Sequence, residues 1–153
     1  MNVRPALPAD AEAMARVHWL SANTAYGRND PLERRLAAAH RLFEEAETRP
    51  FVAEDDQGEV VGILTIGDDE LYAIYVHPGH WGTNVGQELL ERAERELAET
   101  CGVAVLTCMV GNTRARRFYE RNGWELGETL VEPHFGGEPT EVCRYRKRLS
   151  SSS

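Results

Sequence analysis

Residues 76–90, Val-His-Pro-Gly-His-Trp-Gly-Thr-Asn-Val-Gly-Gln-Glu-Leu-Leu, constrain the fold of this chain more than any other stretch. The β-rich run Leu71 to Val76 meets a Pro78-Gly79 break. It then crosses a loop holding Gly79, Gly82 and Gly86 and enters a segment whose Val85, Leu89, Leu90, Ala93 and Leu97 fall on one helical face. The spacing predicts a strand, a tight loop and a helix start. A helix N-terminus carries unpaired backbone N–H groups and partial positive charge, so a glycine-bearing loop before it brings donors close to a phosphate. The stretch therefore reads as an anion cradle. No Gly-Lys-Ser/Thr follows, which excludes a nucleoside-triphosphate loop, and G-x-G-x-x-G spacing is absent, which excludes a dinucleotide fingerprint.

Val76-x-Pro78 followed by Trp81-Gly82-Thr83-Asn84-Val85-Gly86 resembles the acyl-CoA pyrophosphate loop of the GCN5-related N-acetyltransferases. That loop usually reads Arg or Gln, two residues, Gly, one residue, then Gly or Ala. Here Trp81 replaces the Arg/Gln and Asn84 the first Gly, a residue type that tolerates the left-handed conformation better than other non-glycines. A second stretch carries the resemblance independently. Asn112-Thr113-Arg114-Ala115-Arg116-Arg117-Phe118-Tyr119-Glu120-Arg121-Asn122-Gly123-Trp124 is similar at every defined position to the family's N-x-x-A-x-x-F/L-Y-x-K/R-x-G-F/W.

Helix and strand signals run the whole length of the chain. Asn2-Val3-Arg4 is a short β-prone start, and Asp10 is placed to cap a helix bearing Ala13, Met14, Val17 and Leu20 or Ser21 on one face. After the turn at Gly27 to Pro31, Leu32 to Thr48 reads as a second helix, closed by Pro50. Phe51 to Glu54 and Glu59 to Ile66 form a hairpin signal, and Glu70 to Val76 adds a further strand, so the sheet grows antiparallel up to the loop. The helix of residues 84–99 stops at Gly102, and Val103 to Val110 reads as a strand buried on both faces. A strand, helix, strand succession predicts a parallel crossover that lays Val103 to Val110 beside Glu70 to Val76. A helix capped by Asn112 or Thr113 carries Ala115, Phe118 and Tyr119 inward; strands over Trp124 to Leu130 and Thr140 to Leu149 follow, with a polar tail at Ser150 to Ser153. The expected fold is a single α/β (α+β) domain over residues 1–149, with a mixed, mostly antiparallel sheet of about six to seven strands and about four helices. The resemblance further implies that the two parallel strands splay into a V that admits the pantetheine arm.

Length, charge and cysteines bound the function. A chain of 153 residues buries enough surface for an unassisted core. Net charge is −8, from 25 acidic and 17 basic residues, which disfavours nonspecific nucleic-acid binding and steers cationic ligands, or serves solubility alone. The odd count of three cysteines without metal-ligand spacing reads as reduced core residues of a cytoplasmic protein, with no metal site expected. No apolar run approaches a membrane span.

The resemblance implies an acetyl-CoA-dependent N-acetyltransferase acting on a small amine by direct attack in a ternary complex. Acyl transfer to an amine needs a base, stabilisation of the carbonyl oxygen and a proton for the leaving thiolate. Tyr119 matches the family's tyrosine near the cofactor sulfur, and a phenol with a pKa near 10 can donate there. Glu70 stands where a histone acetyltransferase of the family places its glutamate; by strict alternation it shares a strand face with Tyr72, Ile74 and Val76. The resemblance assigns cofactor contacts to Ile74, Val76, Trp81, Gly82, Thr83, Asn84, Val85, Gly86, Asn112 and Tyr119, with Asn112 alternatively a plain helix cap. One of the arginines 114, 116, 117 and 121 could meet the cofactor's 3′-phosphate, although a solvated face is their default. In the family the first helix and the segment after it wall the acceptor pocket, which makes His18, Trp19 and Tyr26 candidate substrate contacts; Phe135 lies in a glycine-rich loop able to overhang the site. The alternatives are a protein or peptide acceptor, or a noncatalytic acyl-CoA-binding module on the same fold. The last strand offers an edge for a homodimer, although Arg144, Arg146, Lys147 and Arg148 charge it.

Overall fold

Seven strands form one sheet in the computed structural model, which describes residues 1–26, 31–132 and 139–149. In chain order they are β1 (Asn2–Pro5), β2 (Arg49–Glu54), β3 (Val60–Ile66), β4 (Glu70–Val76), β5 (Val103–Met109), β6 (Glu125–Glu132) and β7 (Thr140–Arg148). The helices are α1 (Ala11–Tyr26), α2 (Leu32–Leu42), α3 (Val85–Ala98) and α4 (Thr113–Arg121). The spatial order is β1-β2-β3-β4-β5-β7-β6, antiparallel except where β4 meets β5. The crossover through α3 makes that pair parallel, as the strand, helix, strand succession predicts.

Two apolar clusters hold the layers together. On one face Val85, Leu89, Leu90, Ala93 and Leu97 of α3 pack with Phe51, Leu64, Leu71, Leu106, Tyr119 and Tyr145. On the other, Met14 and Val17 of α1 and Ala39 of α2 pack against Val52 and Ile63. Gly62 lets α3 approach β3 closely: a Cβ there would lie 2.7 Å from Leu89 Cδ1 and 2.9 Å from Val85 Cγ1. Fixing this close contact fixes the start of α3, and with it the loop that precedes the helix.

Polar ties set the remaining elements. Arg4 binds Asp10 at 2.8 and 2.9 Å and Glu54 at 2.8 Å, joining β1, β2 and the approach to α1. Asp10 immediately precedes α1 as expected, but its carboxylate turns back to accept the Leu7 N–H at 2.7 Å rather than capping the helix. The neighbouring Arg4 holds this carboxyl below the usual carboxylate range. On the far side, the Tyr145 hydroxyl donates to Glu120 at 2.6 Å and accepts from Arg116 at 3.1 Å, and Gln87 donates to Asn122 at 2.8 Å. These bonds lock α4 to β7 and to α3.

Three expectations are corrected. The second helix ends at Leu42, not Thr48: His40 and Arg41 suit its C-terminal turn, whereas the acidic Glu44, Glu45 and Glu47 beyond it oppose the helix dipole. β5 is buried on one face only, through Ala104, Leu106 and Cys108, while Val103 is exposed. The reason is that α1 packs over β3 and β4. Finally, β7 is not an edge; it lies between β5 and β6, so the edge at that end of the sheet is β6, with Leu126 and Val131 in solvent. Among the described residues no helix is long and apolar enough to cross a membrane.

Candidate active site

The site begins where β4 and β5 part. They pair only at Glu70 with Val105 and Leu71 with Leu106, although β4 continues to Val76 and β5 to Met109. A bulge bends β4 at this point. Ile66 of β3 opposes Leu71 while Thr65 opposes Ala73, so Tyr72 is an extra residue, and such an insertion kinks a strand and increases its twist. Beyond the fork Ala73 to Val76 stay paired with β3 but not with β5, and the β5 side of a strand that parts this way can hydrogen-bond an extended amide chain.

The loop of residues 77–84 follows β4 beyond the fork. His77 N–H donates to Val61 O at 2.9 Å, and the Gly79 N–H donates to His77 Nδ1 at 2.9 Å. The Trp81 indole N–H donates to Val76 O at 2.9 Å, which ties the loop back onto β4. Gly82 takes φ +82°, the left-handed conformation, while Asn84 at φ −84° does not. The residue needing that freedom is therefore Gly82, not Asn84. Gly82, Thr83 and Asn84 are exposed, and the next residue, Val85, is buried in the core. Asn84 precedes α3 and makes no side-chain cap bond, so the first-turn N–H groups point into the loop without a capping partner from it. A phosphate-bearing pantetheine fits this arrangement: the side of β4 that has parted from β5 leads to a helix N-terminus through an open glycine turn.

The two candidate chemical groups approach from opposite sides of the sheet. Tyr119 is buried on the α3 face, its ring 5.3 Å from Phe118 and 6.2 Å from Trp124. Asn112 caps α4 by accepting the Ala115 N–H at 3.2 Å, which sets the helix phase that turns Tyr119 inward. The bulge changes the position of Glu70. Leu71 and Ile74 both pack into the α3-side cluster, so parity is broken between them, and Glu70 faces the other side with Tyr75. The expectation that Glu70 shares a face with Ile74 and Val76 is corrected accordingly. Burial raises the Glu70 carboxyl above its ordinary range, against the lowering effect of Arg144.

On the α1 side of the sheet, His18 stacks on Tyr75 with ring centroids 4.0 Å apart, and Arg35 Nη1 lies 3.2 Å from its Nε2. Burial, aided by Arg35, pushes the imidazole down to about 4, so it is neutral and accepts from the guanidinium. Trp19 is half-buried on the same helix. The Tyr26 side chain and Phe135 lie outside the described residues. Sequence reasoning missed Tyr75 and Arg35 as partners of His18. The one signal for Tyr75 was its place in β4, and the bulge obscured which face it takes. Cys108 and Cys143 oppose one another across β5 and β7, both buried, and burial pushes the Cys108 thiol up to about 11, which leaves it a poor nucleophile.

Comparison with known proteins agrees with this geometry. No curated protein matches the sequence. Among solved structures, yncA of Salmonella typhimurium, determined with its cofactor acetyl-CoA, matches with TM-score 0.74 at 21% identity over 100% of this chain and 96% of its own. A spermidine N-acetyltransferase chimera involving Vibrio cholerae matches with TM-score 0.76 at 20% identity, covering 96% and 94%. A ribosomal-protein-alanine N-acetyltransferase from Brucella melitensis matches with TM-score 0.74 at 20% identity, covering 97% and 100%. The model of the acetyltransferase (GNAT) family matches residues 13–124, so this chain belongs to the GNAT family of acetyl-CoA-dependent N-acetyltransferases.

Proposed function

We propose that the protein moves an acetyl group from acetyl-CoA to the primary amine of a small molecule by direct attack in a ternary complex. The observation that carries this reading is the fork between β4 and β5, with Glu70 on one sheet face and Tyr119 on the other. Acetyl-CoA supplies a thioester whose C–S bond is exchanged for a C–N bond. The side of β4 that has parted from β5, from Ala73 to Val76, binds its amide arm, and the loop from Trp81 to Gly86 with the start of α3 binds its phosphates. Glu70, made more basic by burial, takes the proton of the incoming ammonium. Tyr119 holds a phenolic proton for the departing sulfur. A backbone N–H of β4 on the side parted from β5 polarises the carbonyl oxygen. The neutral, packed His18 shapes the acceptor wall beside Tyr75. The free cysteines fit a cytoplasmic location.

A second reading is favoured by one observation. Among the described residues, the β5 positions on the face carrying Glu70, namely Val105, Thr107 and Met109, are only half-buried, which suits an amine at the end of a peptide as well as a small amine. Initial rates with acetyl-CoA and each of a panel of polyamines, amino acids and short peptides separate the two. Small amines are expected to give the higher kcat/KM; a preference for peptides would move the assignment to the second reading. Lines that intersect when both substrates are varied support direct attack, and parallel lines with an acetylated cysteine would overturn it.

A further inference from the structure

Trp81 occupies the loop position at which the resembling family carries Arg or Gln, so the loop itself offers no polar side chain there. The ring is nevertheless held firmly. Its N–H donates to Val76 O at 2.9 Å, and its backbone N–H donates to Pro78 O at 3.2 Å. Over the ring lies a cation from a different element: the guanidinium carbon of Arg114, in the first turn of α4, is 4.1 Å from the indole centroid. Among the described residues Arg114 makes no ion pair with a carboxylate, in a chain whose net charge is −8. A stacked guanidinium engages its neighbour through the planar face and keeps the N–H donors along its edge. The residue after Trp81 is Gly82, whose left-handed turn has no atom within 4 Å of a would-be Cβ, so the space beside the stack is open. The backbone donors of the α3 N-terminus flank the same opening.

We propose that Arg114, pinned flat on Trp81, is the side chain that binds the diphosphate of the acyl-CoA donor, replacing from α4 the polar residue that the loop lacks. Trp81 thereby acts as a positioning residue and Arg114 as the contact. The assignment rests on the acyl-CoA reading of the site. It gives the cofactor a clamp with one jaw on the helix after β4 and the other on the helix after β5, so that binding draws the two sides of the fork together. It also explains how an acidic protein holds a polyanionic donor: the favourable potential is local, made by one oriented guanidinium and the helix start.

Calorimetric titration tests this without knowledge of the acceptor, using acetyl-CoA, its analogue lacking the 3′-phosphate, and S-acetylpantetheine, which has no phosphate. Arg114→Ala is expected to weaken acetyl-CoA about tenfold, the effect of losing a charge-assisted contact at a solvent-facing site. The same loss is expected for the analogue lacking the 3′-phosphate, and none for S-acetylpantetheine. Trp81→Leu, which leaves the cation but removes its platform, is expected to give a similar loss, and Trp81→Arg in the Arg114→Ala background to recover most of the affinity. Unchanged acetyl-CoA binding by Arg114→Ala would overturn the proposal while leaving the acyl-CoA reading intact. A loss confined to acetyl-CoA with its 3′-phosphate would overturn it in favour of that phosphate. Absence of acetyl-CoA binding by the unaltered protein would overturn both.

Discussion

Glu70 and Tyr119 face opposite sides of one sheet. Leu71 shares a buried cluster with Tyr119, and Glu70, its neighbour along β4, points the other way. The fork between β4 and β5 opens immediately above this pair of residues. In the proposed function, a base on one face and a proton donor on the other would leave the slot between the strands for the bond that is broken, with the acceptor and the cofactor entering from different sides.

Tyr119→Phe keeps the ring packing against Phe118 and Trp124 and removes only the hydroxyl. Turnover is expected to fall by roughly 10²-fold or more, the usual contribution of a positioned acid, with acetyl-CoA affinity changed little. Steady-state kinetics alongside a binding titration check this. A collapse of affinity at an unchanged rate would make Tyr119 a binding residue.

The Glu70 carboxyl is raised by burial and lowered by Arg144. A base must be ionised to act, so kcat is expected to fall on the acid side with an apparent pKa above the ordinary glutamate range. Arg144→Ala removes the lowering charge, and the limb should move to higher pH. Glu70→Gln should abolish the limb. A limb that persists in Glu70→Gln assigns the base elsewhere.

The limits of sequence reading lie in the same strand. The α3 face, the crossover that sets β5 parallel to β4, and both motif positions were legible, because each depends on periodicity or turn chemistry within one segment. The bulge was not. It arises from how Thr65 and Ile66 register against β4, a property of two strands that neither carries alone, and it reversed the face assigned to Glu70. The insertion of β7 between β5 and β6 was hidden for the same reason. The Arg114 and Trp81 stack joins two motifs that were each readable, but their contact depends on the packing of α4 beside the loop.

His18, placed on the acceptor wall in the proposed function, also bears on stability. Above about pH 6.5 both its folded and unfolded forms are neutral, and it adds no pH dependence. As pH falls, the unfolded imidazole takes up a proton while the folded one stays neutral until about 4, so the unfolded state binds more protons and stability drops across that window. The full effect is roughly 3 kcal/mol. Denaturant unfolding should show a smaller loss over the window in His18→Phe, which keeps a ring on Tyr75; equal losses would remove His18 as the cause.

Gly62→Ala places a methyl group against Leu89 and the stiff Val85 side chain. Overpacking of this kind costs roughly 1–3 kcal/mol, and relief by moving α3 outward displaces the helix start. The unfolding midpoint should drop and the KM for acetyl-CoA should rise together. Gly102→Ala, where a Cβ meets nothing within 4 Å, should change neither.

The most direct test of the account is amine-dependent release of CoA from acetyl-CoA, followed by mass spectrometry so that the protein's own thiols do not interfere, in the unaltered protein, Glu70→Gln and Tyr119→Phe. The account predicts an N-acetylated amine formed in step with CoA, and a much slower reaction in both variants despite retained acetyl-CoA binding. Equal rates in all three proteins, or tight acetyl-CoA binding with no acetylated product from any amine, would contradict it.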